Sequence, residues 1–126
     1  MITEDYVSFE IAKLLKEKGF EGVVNAYYHI WDNGKRVCSV QEFSHSEAPH
    51  LYIPAPTIQM AMKWLRDNNG IAVIPTLSSI LDNEKFLWDI KIVVAKTGES
   101  YSQGWIYESY EHACDVAIES CLKHLI

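Results

Sequence analysis

The chain has 126 residues, of which 48% are hydrophobic and 22% are charged, which is the normal composition of one globular domain. The formal net charge of -6, with 11 basic and 17 acidic side chains, argues against sequence-independent nucleic-acid binding, because neutralising phosphates requires Lys and Arg. No segment approaches the roughly 20 consecutive apolar residues of a membrane span. We therefore expect no membrane partner and no nucleic-acid partner.

The N-terminus and the cysteines indicate a reducing compartment. Residues 1–5 include two acids, and no apolar run follows them, so we expect neither a secretory signal nor a transit peptide. Three cysteines, an odd number, without an Asn-x-Ser/Thr acceptor are typical of an intracellular protein. The sequence predicts a cytoplasmic protein with no cofactor, because a chain of this size can form a core without one.

The first predicted element is a helix of about ten residues that begins after Ser8, a good N-cap. Gly19 suits the left-handed position after the helix, and Phe20 falls where a Schellman ending places an apolar contact. Residues 23–31 and 36–43 are rich in β-branched and aromatic side chains, and Asn33-Gly34 between them predicts a hairpin with a two-residue turn.

The predicted turn sets the register of this hairpin. His29 would lie opposite Cys38, and Trp31 would lie opposite Arg36. The alternation leaves two choices for the buried face, and we choose the one that keeps the polar residues exposed, because burying an unpaired polar group is costly. The face predicted to pack against the helices comprises Val24, Ala26, Tyr28 and Ile30. The opposite face comprises Tyr27, His29 and Trp31.

The middle of the chain predicts a loop over residues 44–56, with a short strand at 51–53. Thr57 caps a second helix that ends at Asn69-Gly70. Residues 71–74 read as a short buried strand that Pro75 closes.

The C-terminal part predicts a second hairpin and a last helix. Residues 86–94 alternate between apolar and polar side chains, with Phe86 and Trp88 on the apolar face. Residues 101–107 should return antiparallel, with Gly104 marking a bulge. Ser109 then caps the last helix. Its predicted apolar set is Tyr110, Ala113, Cys114, Ala117, Ile118, Cys121, Leu122 and Leu125.

These elements predict a single α+β domain over residues 1–126. The two hairpins favour one antiparallel sheet of about four to five strands packed with three helices, in the order α-β-β-α-β-β-β-α. We find no internal repeat and no linker that would divide the chain.

Three stretches together carry a family resemblance. They are residues 11–20 (Ile-Ala-Lys-Leu-Leu-Lys-Glu-Lys-Gly-Phe), Ala-Pro-Thr at 55–57 running to Trp-Leu-Arg at 64–66, and Tyr-Glu-Ser-Tyr-Glu at 107–111 leading into Ala113. In these stretches the chain resembles short uncharacterised proteins of gut bacterial genomes, phages and mobile elements, a family of unknown function. The resemblance implies a genomic setting and carries no catalytic motif.

Two groups of residues are candidates for chemistry. Cys38 opposite His29 would be a thiolate-imidazole pair, which is one half of a cysteine-dependent active site; a half-buried neutral pair is the structural alternative. His45, Glu47 and His50 are candidate metal ligands in a loop, but the close two-cysteine clip of a deaminase-type zinc site is missing. We expect Cys114 and Cys121, two turns apart on an apolar helix face, to act as small core residues.

The aromatic content points to recognition. Seven tyrosines and four tryptophans exceed what the pattern can place in one core, and aromatic residues beside arginine are typical of protein interfaces. Tyr27, Trp31 and Arg36 are the candidate binding residues. An acidic stripe on the last helix, Glu111, Asp115 and Glu119, either receives a basic partner or is a solvated face.

Two hypotheses of different class follow. The preferred one is a small non-enzymatic accessory or interaction protein that binds a protein partner, or a second copy of itself, through an aromatic face. The alternative is a small cysteine-dependent hydrolase or transferase that uses Cys38 and His29. Nucleotide-binding, serine-hydrolase and zincin motifs do not occur in the sequence, and this favours the non-enzymatic hypothesis.

Overall fold

The computed structural model describes residues 5–30, 36–38, 52–102 and 106–126. These residues form three helices and six strands in chain order, namely α1 (Phe9–Glu17), β1 (Ala26–His29), β2 (Arg36–Cys38), β3 (Tyr52–Pro54), α2 (Ile58–Asn69), β4 (Ile71–Ile80), β5 (Phe86–Val94), β6 (Ser100–Ser102) and α3 (Tyr110–His124). The chain divides into two compact units, residues 1–61 and 62–126, and the division falls within α2.

The predicted α+β class with antiparallel strands is confirmed, and the observed order differs from the predicted one only by the additional short strand β3 before α2. The prediction of one sheet with about four to five strands differs from the structure in the number of sheets and in the number of strands. The six described strands form two three-stranded sheets, in the orders β2-β1-β3 and β4-β5-β6. Alternation in a sequence shows which faces a strand has, but not which strand lies beside it. That residues 1–126 form a single domain stays a prediction.

Both ends of α1 are where the sequence predicts them. The Ser8 hydroxyl accepts a hydrogen bond from the backbone N–H of Ile11 at 3.3 Å. After the helix, Gly19 takes a φ of 94°, the left-handed conformation that favours glycine. The N–H groups of Gly19 and Phe20 donate to the carbonyls of Lys16 and Leu15 at 3.1 and 2.9 Å. This is the Schellman pattern, and the Phe20 side chain is buried.

The face of β1 that packs on α1 is largely the predicted one. Val24 and Ala26 are buried, and the Tyr28 hydroxyl donates a hydrogen bond to the Val7 carbonyl at 2.7 Å. The Tyr28 ring also meets the Phe9 ring edge-on, with centroids 5.5 Å apart. Ile30 was predicted on the same face, but it is exposed, because β1 ends at His29.

The register of the first hairpin differs from the prediction. Tyr28 lies opposite Arg36, Tyr27 opposite Val37, and Ala26 opposite Cys38. His29 pairs instead with Tyr52 of β3, on the other side of β1. The prediction took Asn33-Gly34 as a two-residue turn, whereas the observed pairing leaves residues 29–35 between the last paired residues of β1 and β2. A longer connection moves every partner along the strand.

The start of α2 and the end of α2 are both confirmed. The Thr57 hydroxyl accepts a hydrogen bond from the Met60 N–H at 3.2 Å, and Gly70 has a φ of 64° directly after the last helical residue. The next strand is longer than predicted, because β4 does not stop at Pro75 but runs to Ile80. β4 is an edge strand of its sheet, and an edge strand tolerates a proline whose missing N–H lies on the unpaired side.

The core of the second unit lies between α3 and the β4–β5 pair. Ser109 caps α3 as predicted, since its hydroxyl accepts a hydrogen bond from the His112 N–H at 3.1 Å. The helix packs against both strands, and its buried residues are Ala113, Cys114, Ala117, Ile118, Cys121 and Leu122. These are the central members of the predicted apolar set. The buried residues of the two strands are Ile71, Val73, Ile90 and Ile92.

The predicted strand over residues 101–107 is shorter in the structure. β6 covers Ser100–Ser102, and Tyr107 then forms an isolated bridge with Trp88 of β5. The predicted bulge at Gly104 lies outside the described residues.

The turn between β4 and β5 contains one backbone position that glycine would fit better. Glu84 has a φ of 64°, where a side chain costs roughly 1 to 2 kcal/mol. We expect Glu84→Gly to raise the free energy of unfolding by about 0.5–1 kcal/mol, after allowing for the greater freedom of glycine in the unfolded chain. Urea denaturation of this variant beside Glu84→Gln checks it. An equal gain in Glu84→Gln would show that charge, not backbone strain, is responsible.

Candidate interaction surface

The β4–β5 hairpin carries an apolar face that runs along its whole length. Residues opposite each other in an antiparallel pair lie on the same face, and the pairs Val73 with Ile92 and Leu77 with Trp88 occupy this one. Pro75 lies between them, opposite Ile90. The face begins in the core under α3 and continues outward along the hairpin.

A β-bulge keeps the outer end of the hairpin on the same face. The register shifts by one residue between Leu77 and Ser79, so that Ile80 lies opposite Phe86. Without this shift, Ser79 would take that position. The extra residue of the bulge therefore returns an isoleucine, and not a serine, to the apolar face.

α3 covers only the inner part of this face. Its first residue, Tyr110, places its ring edge-on to the Trp88 ring, with centroids 5.1 Å apart. We call residues 77–86 the hairpin arm; it begins at Leu77, opposite Trp88, and includes the turn. Leu77 is 50% exposed, Ile80 61% and Phe86 50%. An apolar face that is buried at one end thus reaches the surface at the other.

The aromatic rings at the boundary hold the arm to the rest of the unit. The Phe86 and Trp88 rings also meet edge-on, with centroids 6.2 Å apart. Trp88 exchanges two backbone hydrogen bonds of 2.8 Å with Tyr107, and the Tyr107 ring lies 5.5 Å from that of His112. Such edge-to-face contacts are stabilising, so Trp88 has a fixed position at the base of the arm.

A carboxylate lies near this boundary and affects the pKa of Tyr107. Burial, and then the nearby Asp89 carboxylate, raise the pKa of the Tyr107 phenol above its usual value. A raised tyrosine pKa means that the phenol stays neutral and can donate a hydrogen bond at any physiological pH. Tyr107 is therefore a polar but uncharged neighbour of the apolar arm.

The arm is large enough to matter for recognition. Three large apolar side chains, each half exposed or more, amount to on the order of a few hundred Å² of apolar surface. The largest apolar patch on a monomeric protein is typically of this size and is often functional.

The structure does not bring the predicted Cys38 and His29 together as cross-strand partners. Cys38 lies opposite Ala26, and His29 pairs with Tyr52, with ring centroids 4.9 Å apart. The register that motivated the thiolate-imidazole pair is therefore wrong. The side chain of Cys38 lies outside the described residues.

The predicted aromatic face of β1 is only partly described. Tyr27 and His29 are half-buried, which leaves them less accessible than the prediction of an exposed face requires. Arg36 lies opposite Tyr28 and not opposite Trp31. Trp31 itself lies outside the described residues.

The candidate metal ligands and the two helical cysteines have different outcomes. His45, Glu47 and His50 lie outside the described residues, and within the described part of the chain no three His, Cys, Asp or Glu residues cluster as metal ligands. Cys114 and Cys121 are fully buried, so their predicted role as core residues is confirmed.

Sequence reasoning missed the hairpin arm. It placed Phe86 on an apolar face and closed the preceding strand at Pro75, which left residues 76–80 unassigned. The available signal was the series Leu77, Ile80 and Leu81 before a polar turn and Phe86 after it, because apolar residues on both sides of a turn are typical of a hairpin.

Comparison with known proteins adds no assignment: no family model, no curated protein and no solved structure matches the chain. The resemblance to short proteins of gut bacteria, phages and mobile elements therefore stays a prediction. In the described part of the chain, every helix is too short or too polar to cross a bilayer.

Proposed function

We propose that this chain is a non-enzymatic interaction protein that binds a protein partner through the hairpin arm. The exposure of Leu77, Ile80 and Phe86, on a face whose inner end is buried core, is the observation that carries the proposal. Apolar anchors on a rigid element, surrounded by polar residues, are the usual centre of a protein interface.

The proposed class of function is the one predicted from the sequence, but the proposed binding surface is a different one. The sequence pointed to Tyr27, Trp31 and Arg36 on the first hairpin, whereas Leu77, Ile80 and Phe86, three exposed apolar residues on one face, lie on the second. The base of the arm is held by the Trp88 contacts described above, which lowers the entropy cost of binding at this surface. A cysteine-dependent enzyme loses its main support with the register that placed His29 opposite Cys38.

The proposal predicts that two serine substitutions in the arm abolish partner binding. Ile80→Ser with Phe86→Ser removes the two outermost apolar anchors, and anchors of this kind each contribute about 1–4 kcal/mol to binding. The measurement is affinity capture from a lysate of the encoding organism, with quantification of each captured protein.

The matched control is Val23→Ser with Ile30→Ser, because Val23 is 86% exposed and Ile30 40%, and both lie outside the arm. We expect a stoichiometric partner on the wild type and on the control, and its loss from the arm variant. A partner that all three proteins capture equally would contradict the proposal, as would the absence of any stoichiometric partner on the wild type.

A further inference from the structure

The turn of the hairpin arm is rich in acids. Asp82 and Glu84 are both exposed there, and the turn is fixed by hydrogen bonds from Leu81 N–H to the Lys85 carbonyl at 2.8 Å and from Glu84 N–H to the Leu81 carbonyl at 2.9 Å. The two carboxylates therefore border the apolar patch at its outer end.

The base of the arm is acidic as well. Glu108 directly follows Tyr107, whose backbone is hydrogen-bonded to Trp88. Glu111 lies in the first turn of α3, next to the residue whose ring contacts Trp88. Both carboxylates belong to exposed residues, so acids lie at each end of the apolar patch.

Lysines offset these acids only in part. Along β5 and its turn, the basic residues are Lys85 and Lys91, against Asp82, Glu84 and Asp89. With Glu108 and Glu111 at the base, the surroundings of the patch carry an excess of negative charge. A partner with positive charges at the margin of an apolar surface is complementary to this arrangement.

Pro75 disfavours the addition of a partner strand along the outer edge of β4. The Ala95 N–H donates to the Gly70 carbonyl, and hydrogen-bonded and non-hydrogen-bonded pairs alternate along an antiparallel ladder. Counting from Gly70, Pro75 is in a non-hydrogen-bonded pair, so its nitrogen points to the outer edge of β4. An added strand would find no donor there, which disfavours pairing along this edge.

A second copy of the chain is a poor fit. In a two-fold dimer built on the arm, the same patch meets itself. The carboxylates at the two ends of each patch would then approach like charges, which is unfavourable. A basic partner avoids this repulsion.

We propose that the hairpin arm binds an amphipathic helix of another protein, with an apolar stripe against Leu77, Ile80 and Phe86 and with Lys or Arg at the margins of that stripe. This inference rests on the proposed function. A helix docking on a face needs no hydrogen bond from β4, and its anchors recur every three or four residues.

The test uses two synthetic helical peptides with the same leucine stripe, one with lysine and one with glutamate at the marginal positions. Binding to the full chain is measured by fluorescence anisotropy at near-physiological salt. We expect the lysine peptide to bind about tenfold tighter than the glutamate peptide. Asp82→Asn with Glu84→Gln should reduce this preference to about threefold, whereas Ile80→Ser with Phe86→Ser should weaken both peptides.

The outcomes separate the two proposals. Equal affinity for the two peptides, or a preference that Asp82→Asn with Glu84→Gln leaves unchanged, overturns the basic helix and leaves the arm as an interaction surface. If Ile80→Ser with Phe86→Ser does not weaken binding of the lysine peptide, the peptide binds elsewhere than on the arm. That result overturns both proposals. Val23→Ser with Ile30→Ser serves as the control and should bind as the wild type does.

Two other binding partners for the arm, a second copy of the chain and a lipid surface, are tested with the same variants. A wild-type dimer in sedimentation equilibrium that becomes monomeric in Ile80→Ser with Phe86→Ser would overturn the helix in favour of a second copy. Co-flotation of the wild type with phosphatidylcholine vesicles, lost in the same variant, would overturn it in favour of a lipid surface. We expect a monomer that does not float.

Discussion

Ile118→Ala is expected to lower the free energy of unfolding by about 2–5 kcal/mol. Ile118 is fully buried on α3, which packs against the β4–β5 pair, and removal of its side chain leaves a cavity in the core of the second unit. A domain has only about 5–15 kcal/mol of net stability, so this one change would remove a large part of it.

The matched change in the arm, Ile80→Ala, should cost less than about 1 kcal/mol, because Ile80 is 61% exposed and only strand propensity and partial packing are lost. Urea denaturation followed by circular dichroism measures both variants. Equal losses would mean that the arm is part of the core, and the argument for a binding surface would fail.

The second large effect concerns the reactivity of the buried cysteines. Burial raises the pKa of Cys114 to about 11 and that of Cys121 to about 12. Only the thiolate reacts with iodoacetamide, so at pH 8 the reactive fraction of these thiols should fall about 100-fold and about 1000-fold below that of an unfolded cysteine. Alkylation rates for each cysteine, measured by mass spectrometry in buffer and in urea, check this. Rates for Cys114 in buffer that match those in urea would contradict its place in the core.

The same pKa values determine how the free energy of unfolding changes with pH. The folded chain holds these two protons more tightly than the unfolded chain does, so the contribution is present below about pH 9 and is lost as the pH rises through about 11 and 12. We therefore expect the free energy of unfolding to fall in alkaline solution. The Cys38 rate in the alkylation experiment also tests the enzyme hypothesis, because an activated thiolate would react faster than an unfolded cysteine.

Local signals in the sequence predict the ends of the helices well. Ser8, Thr57 and Ser109 all accept the expected capping hydrogen bonds, and Gly19 and Gly70 adopt positive φ where the helices end. These features depend on neighbours within a few residues, so one chain segment contains all the information that they need.

Strand partners are less predictable, because they depend on residues far apart in the chain. Asn33-Gly34 gave a wrong register for the first hairpin, and the alternation around His29 could not show that β3 would pair with β1. Pro75 lies within an edge strand, whereas the sequence pattern predicts that the strand ends there. In each case, the position of a third segment decides the outcome.

The exposure of the arm could not be predicted from the strand pattern. Phe86 and Ile90 have the same place in the alternation of β5, yet Ile90 is buried and Phe86 is half exposed. The difference arises because α3 begins beside Trp88 and leaves everything beyond it uncovered. Burial along a strand depends on the length of the helix that covers it, which the strand itself does not encode.

Site-specific photocrosslinking tests the central claim most directly. A photoreactive phenylalanine analogue replaces Ile80 in one protein and Val23 in another, and each is irradiated in lysate together with the captured partner. We predict a covalent adduct with the partner from position 80 and none from position 23. An adduct from position 23 alone would contradict an interface on the hairpin arm. The same conclusion would follow if the partner bound both proteins but formed no adduct at position 80.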